Sequence, residues 1–175
     1  DVCSSDLIEV GQVTEGAACT VLLAKDLINN QNQLMIANCD QYIDVDINEY
    51  LAVLDDPSAD GLIMTMKADD NKWSFIKLNE RNEITLVVEK EVVSDEATVG
   101  IYNYQRGSDF VGAAEKMIAK NLRVNNEFYV APAYNEMIGG KKSIKYFNIG
   151  SLGKGMHGLG TPEDLNIFLS TYIYK

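Results

Sequence analysis

Between residues 61 and 104 the chain reads GLIMTMKA, WSFIKLN, EITLVVEK and ATVGIYNY in close succession. Each run is short, apolar and rich in β-branched or aromatic residues, as strands are. A strand carries a row of backbone N–H and C=O groups that must find partners, so four such runs in one stretch commit the chain to a sheet. Glu80, Arg81 and Asn82 separate the second and third runs. That turn predicts an antiparallel hairpin of 73–79 with 83–90.

The flanking sequence supplies helices. Residues 7–10 and 33–38 are further short apolar runs, and GAACTVLLAKDLI between them carries Ala18, Val21, Leu22 and Ile28 at helical spacing; the expected order is strand, helix, strand. Asp46 followed by Glu49 has the spacing of a capping box ahead of Tyr50, Leu51 and Leu54. A helix is expected from about Ser108 with Phe110, Ala114, Met117 and Ile118 on one face, another near 129–138, and a late strand at 144–149. In TPEDLNIFLSTY, Thr161 is the expected cap and Pro162 the first helical residue, with Leu165, Phe168, Leu169 and Tyr172 as the buried face. Strands alternating with helices around an inserted hairpin predict an α/β domain, a mixed, mainly parallel sheet flanked by helices. With 175 residues and 46% apolar composition, one compact domain is expected. Residues 1–6 read as a non-native leader, leaving 7–175 as the domain.

Charge and cysteine content remove several functions. A net charge of −11 leaves no basic stripe to follow a nucleic-acid backbone. Cys3, Cys19 and Cys39 are odd in number and lack CxxC spacing, against a disulfide framework or structural zinc. A reducing cytoplasm is the expected location. No run approaches 18 apolar residues, and the N-terminus lacks a signal-peptide pattern, so no membrane association is expected.

LMIANCDQYIDVD, residues 34–46, ends an apolar run in Asp40, Asp44 and Asp46. Asp40 lies just past a strand, where α/β sheets open onto a crevice; on spacing alone it suits an Asx turn as well as a metal ion. Asp44 and Asp46 form a D-V-D of the kind glycosyltransferases use for metal, yet Asp46 is also the expected helix cap. Cys39 has no activating partner nearby in sequence and reads as inert.

Taken in order, QVTEGAACTVLLA (12–24), IANCDQYIDVDI (36–47), VVEK (87–90), ATVGIYNY (97–104), NNEFYVAPAYN (125–135) and HGLGTPEDL (157–165) resemble sugar-nucleotidyltransferases from about residue 8 to 170. The likeness is to the subgroup of bacterial capsule and surface-polysaccharide clusters. It implies a Rossmann-like, nucleotide-diphospho-sugar transferase fold. It also implies a reaction joining a nucleoside triphosphate to a sugar phosphate, or a similar phosphorylated small acceptor, with release of pyrophosphate. By the same resemblance Gln12 and Gly16 approach the base, Asp40 holds Mg²⁺, Glu89 meets acceptor hydroxyls, Lys90 the acceptor phosphate, and Gly100 and Glu127 line the acceptor pocket. Asp40 and Lys90 would be the catalytic pair.

Two departures stand out. Many members carry a second metal-binding Asp where HGLGT has Gly158, beside the single histidine, His157. The family's Gly-rich phosphate loop should lie upstream of residue 1, so the fold is expected to be incomplete at its N-terminus. The alternatives are a glycosyltransferase using Asp44 and Asp46 and a non-catalytic sugar-nucleotide-binding module.

Overall fold

The structure, a computed structural model, describes residues 7–172, the side chain of Tyr172 excepted. The proposed leader at 1–6 lies outside the described residues, as does the side chain of Tyr172. The strands are β1 (Leu34–Ala37), β2 (Gln41–Ile43), β3 (Gly61–Lys67), β4 (Ser74–Leu78), β5 (Ile84–Glu89), β6 (Glu96–Tyr104), β7 (Ile144–Leu152) and β8 (Gly155–Gly158). The helices are α1 (Ala17–Leu22), α2 (Lys25–Ile28), α3 (Ile47–Leu51), α4 (Gly107–Ala119), α5 (Tyr134–Gly139) and α6 (Pro162–Tyr172).

All eight strands join one sheet in the order β2-β8-β7-β3-β6-β4-β5, with β1 also paired to β6. The mixed α/β expectation holds. Among the described residues, the parallel ladders are β3–β7 and β7–β8, and the remaining pairs run antiparallel. The predicted hairpin forms as β4–β5, with Asn82 taking the left-handed turn conformation at φ 58°.

The alternation of side chains sends each strand's residues to two cores. Leu62, Met64 and Met66 of β3 pack with Tyr50, Leu54, Phe75, Val99 and Ile101 on one face. Ile63 packs on the other with Ala18 of α1, Phe110 and Met117 of α4, Tyr134 of α5, Tyr102 and Tyr104. Burial on both faces explains why β6 is apolar almost throughout and buried along its whole length.

Four expectations fail for local reasons. Residues 7–10 form no strand; a four-residue apolar run needs a sheet edge to pair with, and here Leu7 is 93% exposed. The helix expected across 16–28 breaks at Leu23–Ala24, where Ala24 has φ −87° and ψ 9°. The segment near 129–138 starts as a 3₁₀ turn, Ala131–Ala133 around Pro132, before α5. The apolar face of α6 is largely open: Leu165 is 41% and Leu169 38% exposed. Part of it is seated, with Phe168 against Tyr42 and His157 at ring-centroid distances of 5.3 and 5.8 Å.

Candidate functional site

The edge of β6 that faces away from β3 is shared. β1 takes its C-terminal half, Ile101–Tyr104, and β4 reaches it only at Ala97. Between them the edge parts at Thr98–Gly100, and a cavity of about 670 Å³ opens there. Its walls are the ends of β1 and β5, the start of β4, the first turns of α1, and Tyr129–Ala131. Both β1 and β5 enter it by their carboxyl ends, where α/β sheets place ligands.

Asp40 lines this cavity. Its backbone C=O accepts a hydrogen bond from the N–H of Leu159 at 2.8 Å. Its carboxylate lies against Gly160, where a Cβ would come within 2.6 Å of Oδ2. The two other aspartates behave differently. Asp46 Oδ1 accepts the Asn48 N–H at 2.8 Å, so this carboxylate caps α3. Asp44 donates its N–H to the Gly155 carbonyl and, like Asp46, lies outside the cavity lining. The glycosyltransferase reading therefore loses one ligand to a helix cap.

Glu89 is 8% exposed and lines the cavity. It stands directly opposite Ser74 in the β4–β5 ladder, and the Ser74 hydroxyl donates to Glu89 Oε2. Burial raises the Glu89 carboxyl above its ordinary value; Ser74 and then Lys90 pull it down, and Glu127 pushes it up. Lys90 follows at φ 58°, left-handed backbone that a side-chain-bearing residue seldom adopts. That twist carries Nζ to the Tyr129 hydroxyl at 2.9 Å and to within 5.0 Å of its ring centroid. The hydrogen bond to Tyr129 raises the Lys90 ammonium. Lys90 is exposed and reaches the cavity through Tyr129, which lines it.

Gly100 has φ 77°, and the Asn38 side chain lies where its Cβ would be. The Asn38 N–H donates to the Gly100 carbonyl, extending the β1–β6 ladder. Thr98, Gly100 and Tyr102 share one face of β6. With no side chain between them, the Tyr102 hydroxyl meets Thr98 Oγ1 at 2.9 Å. Burial pushes the Tyr102 phenol up to about 12.

Gly16 is fixed by a different neighbour. It has φ 126°, and a Cβ would fall 2.5 Å from the backbone N of Phe128. Around it Phe128 N–H donates to the Glu15 carbonyl at 2.8 Å, and Ala18 N–H to the Phe128 carbonyl at 2.9 Å. Arg123 adds an ion pair with Glu15 and lies over the Phe128 ring. Gly16 thus clasps α1 to the segment that forms the opposite wall. Gln12 and Glu127 are exposed, and neither is among the residues lining the cavity.

Sequence reasoning missed Ser74, Asn38, Tyr102, Trp73 and Tyr129. The predicted hairpin brings the start of β4 beside the end of β5, but not the register that sets Ser74 opposite Glu89. Cys39 lines the cavity and is exposed. His157 is buried between Tyr42 and Phe168. An aspartate at Gly158 would place its Cβ 3.5 Å from Cγ of Asp164. Among the described residues no three His, Cys, Asp or Glu side chains gather into a metal cage, and no helix is long and apolar enough to cross a membrane.

Comparison with known proteins gives this geometry a setting. A family model described as nucleotidyl transferase matches residues 5–129. No curated protein matches the chain. The nucleoside-diphosphate-sugar pyrophosphorylase of Vibrio cholerae RC9 aligns over 92% of this chain and 67% of its own, with 25% identity and a TM-score of 0.74. A provisionally assigned glucose-1-phosphate thymidylyltransferase from Bacillus anthracis, solved with a sucrose, aligns over 91% of this chain and 62% of its own, with 18% identity and a TM-score of 0.69. At that identity the second likeness shows the fold alone. The chain spans about two-thirds of the length of these proteins.

Proposed function

The chain belongs to the nucleotidyl transferase family, and from that membership we propose that it serves a reaction joining a phosphorylated sugar, or a related phosphorylated small molecule, to a nucleoside triphosphate. The observation that carries the proposal is the convergence of Asp40, Glu89 and Gly100 on one cavity at the carboxyl ends of β1 and β5, with Lys90 at its side. An acceptor phosphate oxygen would form a bond to the α-phosphorus as the α–β bridging P–O bond breaks, and pyrophosphate would leave with that electron pair. A phosphate is already an anionic nucleophile, so this chain supplies positioning and charge rather than a general base.

The roles follow from chemistry. Lys90, held by Tyr129, offsets the acceptor phosphate. Glu89 accepts hydrogen bonds from acceptor hydroxyls, and Gly100 with Asn38 forms the surface beneath. Gly16 seats α1 beside the nucleotide; Gln12 and Glu127 reach the site only if their exposed segments fold over a bound ligand. Asp40 fits Mg²⁺, because a single hard carboxylate suffices where phosphates complete the shell. The ion's contribution there is to neutralise phosphate charge. Cytoplasmic synthesis of a capsule or surface-polysaccharide precursor is the cellular role that the sequence resemblance supports.

The test is pyrophosphate release by the protein across nucleoside triphosphates and sugar phosphates. Asp40→Ala should abolish Mg²⁺-dependent release, and Asp44→Ala should leave most of it. The reverse pattern would transfer the metal to the D-V-D segment and overturn the assignment.

A further inference from the structure

We infer that Ser74 is a positioning residue, whose hydroxyl the hairpin register sets opposite Glu89 so that one carboxylate oxygen is fixed in the wall and the other is presented to the acceptor. The inference rests on reading the cavity as an acceptor site.

Ser74 and Glu89 are direct partners across β4–β5, so their side chains stand side by side on one face. The Lys90 N–H continues this ladder to the Trp73 carbonyl at 3.1 Å, which fixes the strand ends on both sides of the pair. Ser74, Glu89, Thr98 and Tyr102 are all buried, and all four line the cavity. Ser74 takes Oε2 of Glu89; Oε1 makes no hydrogen bond among the described residues. The Ser74 hydroxyl also faces the Tyr102 phenol, whose other neighbour is Thr98. Two hydrogen-bonded pairs, Thr98 with Tyr102 and Ser74 with Glu89, therefore lie together on the floor. A buried carboxylate with a free rotamer would lose orientation on ligand arrival; a cross-strand hydroxyl removes that freedom.

Because the hydroxyl donates to the charged form, it also favours ionisation against the pull of burial. The charged and titratable groups around Glu89 are Lys90 next to it in sequence, Lys72 just before β4, Tyr102 on β6, Tyr129 on the far wall, Cys39 and Asp40 just past β1, and Glu127, which acts on it from outside the cavity lining.

The experiment follows the Glu89 side-chain carboxyl by ¹³C NMR during a pH titration of the whole chain, in the parent, Ser74→Ala and Ser74→Thr. Ser74→Ala should titrate at higher pH than the parent, and Ser74→Thr should return toward it. If Ser74→Ala does not fold, Ser74→Cys replaces it, since a thiol is a weak donor of similar size. Superimposed titrations of the parent and a folded donor-poor variant would overturn the inference. In turnover, the donor-poor variant should raise the acceptor KM while kcat changes little, and Ser74→Thr should restore KM. An active enzyme with unmoved titration sinks the role of Ser74 alone. A moved titration in a protein that turns over no phosphorylated acceptor sinks the functional reading and leaves Ser74 as the residue that orients Glu89.

Discussion

Two buried glutamates sit on β5 and β6, strands consecutive in the chain with β4 between them in the sheet, and meet different fates. Glu96, at the start of β6 and 5% exposed, accepts from Thr65 Oγ1 at 2.9 Å, Asn148 Nδ2 at 2.7 Å and Lys67 Nζ at 2.7 Å. Glu89, at the end of β5 and 8% exposed, lines the cavity and has the Ser74 hydroxyl on Oε2, with no hydrogen bond on Oε1 among the described residues. The protein satisfies one carboxylate on both oxygens and leaves the other half-satisfied. A buried charge costs free energy unless it is paired and hydrogen-bonded. Glu96 recovers that cost within the fold, tying β3, β6 and β7 together. On the proposed reading, Glu89 recovers it fully only when a ligand donates to it. Depth of burial does not separate these two roles; the count of internal donors does.

The sharpest way to break this comparison is Glu89→Gln. It should lower kcat/KM for the acceptor about a hundredfold, the order expected for losing hydrogen bonds to a charged group, without lowering the melting temperature at neutral pH. The sign follows from the raised carboxyl. In the folded chain Glu89 holds its proton more tightly than in the unfolded chain. It therefore adds stability below the ordinary glutamate value near 4.5 and loses that contribution as pH rises through its folded value. Thermal melts at acidic and neutral pH should show a flatter dependence in Glu89→Gln than in the parent, and a large loss of stability at neutral pH would overturn the contrast.

Glu96→Ala should do the opposite. It strands the Thr65 hydroxyl and the Asn148 amide and should cost about 2 kcal/mol, measured by urea unfolding, with acceptor KM unchanged. Thr65→Val, which removes one donor from the paired glutamate, should cost roughly 1 kcal/mol. Lys67→Met comes last. Lys67 is half-exposed, so its loss should cost less than about 1 kcal/mol, diminishing further in high salt.

Much of this architecture was legible in the chain. The strands at 61–67, 74–78, 84–89 and 96–104 followed from apolar runs and a turn, and α4 from a 3.6-residue period, because those signals are local. Asp46 was legible as a cap for the same reason. The pairing of Ser74 with Glu89 was not. Counting back from the hairpin end, Leu78 opposite Ile84 leads to Ser74 opposite Val88; a one-residue irregularity between Lys77 and Leu78 shifts the register so that Ser74 faces Glu89. A bulge of that kind moves every later residue by one place and has no compositional signature. The exposed side of α6 was misread because periodicity reports an apolar face without reporting what covers it.

The clasp at Gly16 has a consequence in time. Glu15 and Arg123 are 108 positions apart along the chain, and the backbone bonds between Glu15–Ala18 and Phe128 span a similar stretch. A ribosome releases α1 long before the segment that anchors it, so during synthesis this helix waits, too short at six residues to persist alone. The β4–β5 and β3–β6 pairings join residues closer in sequence and can form earlier. The wall that completes the cavity thus waits for residues 123–131, after the floor on β4, β5 and β6 has been made.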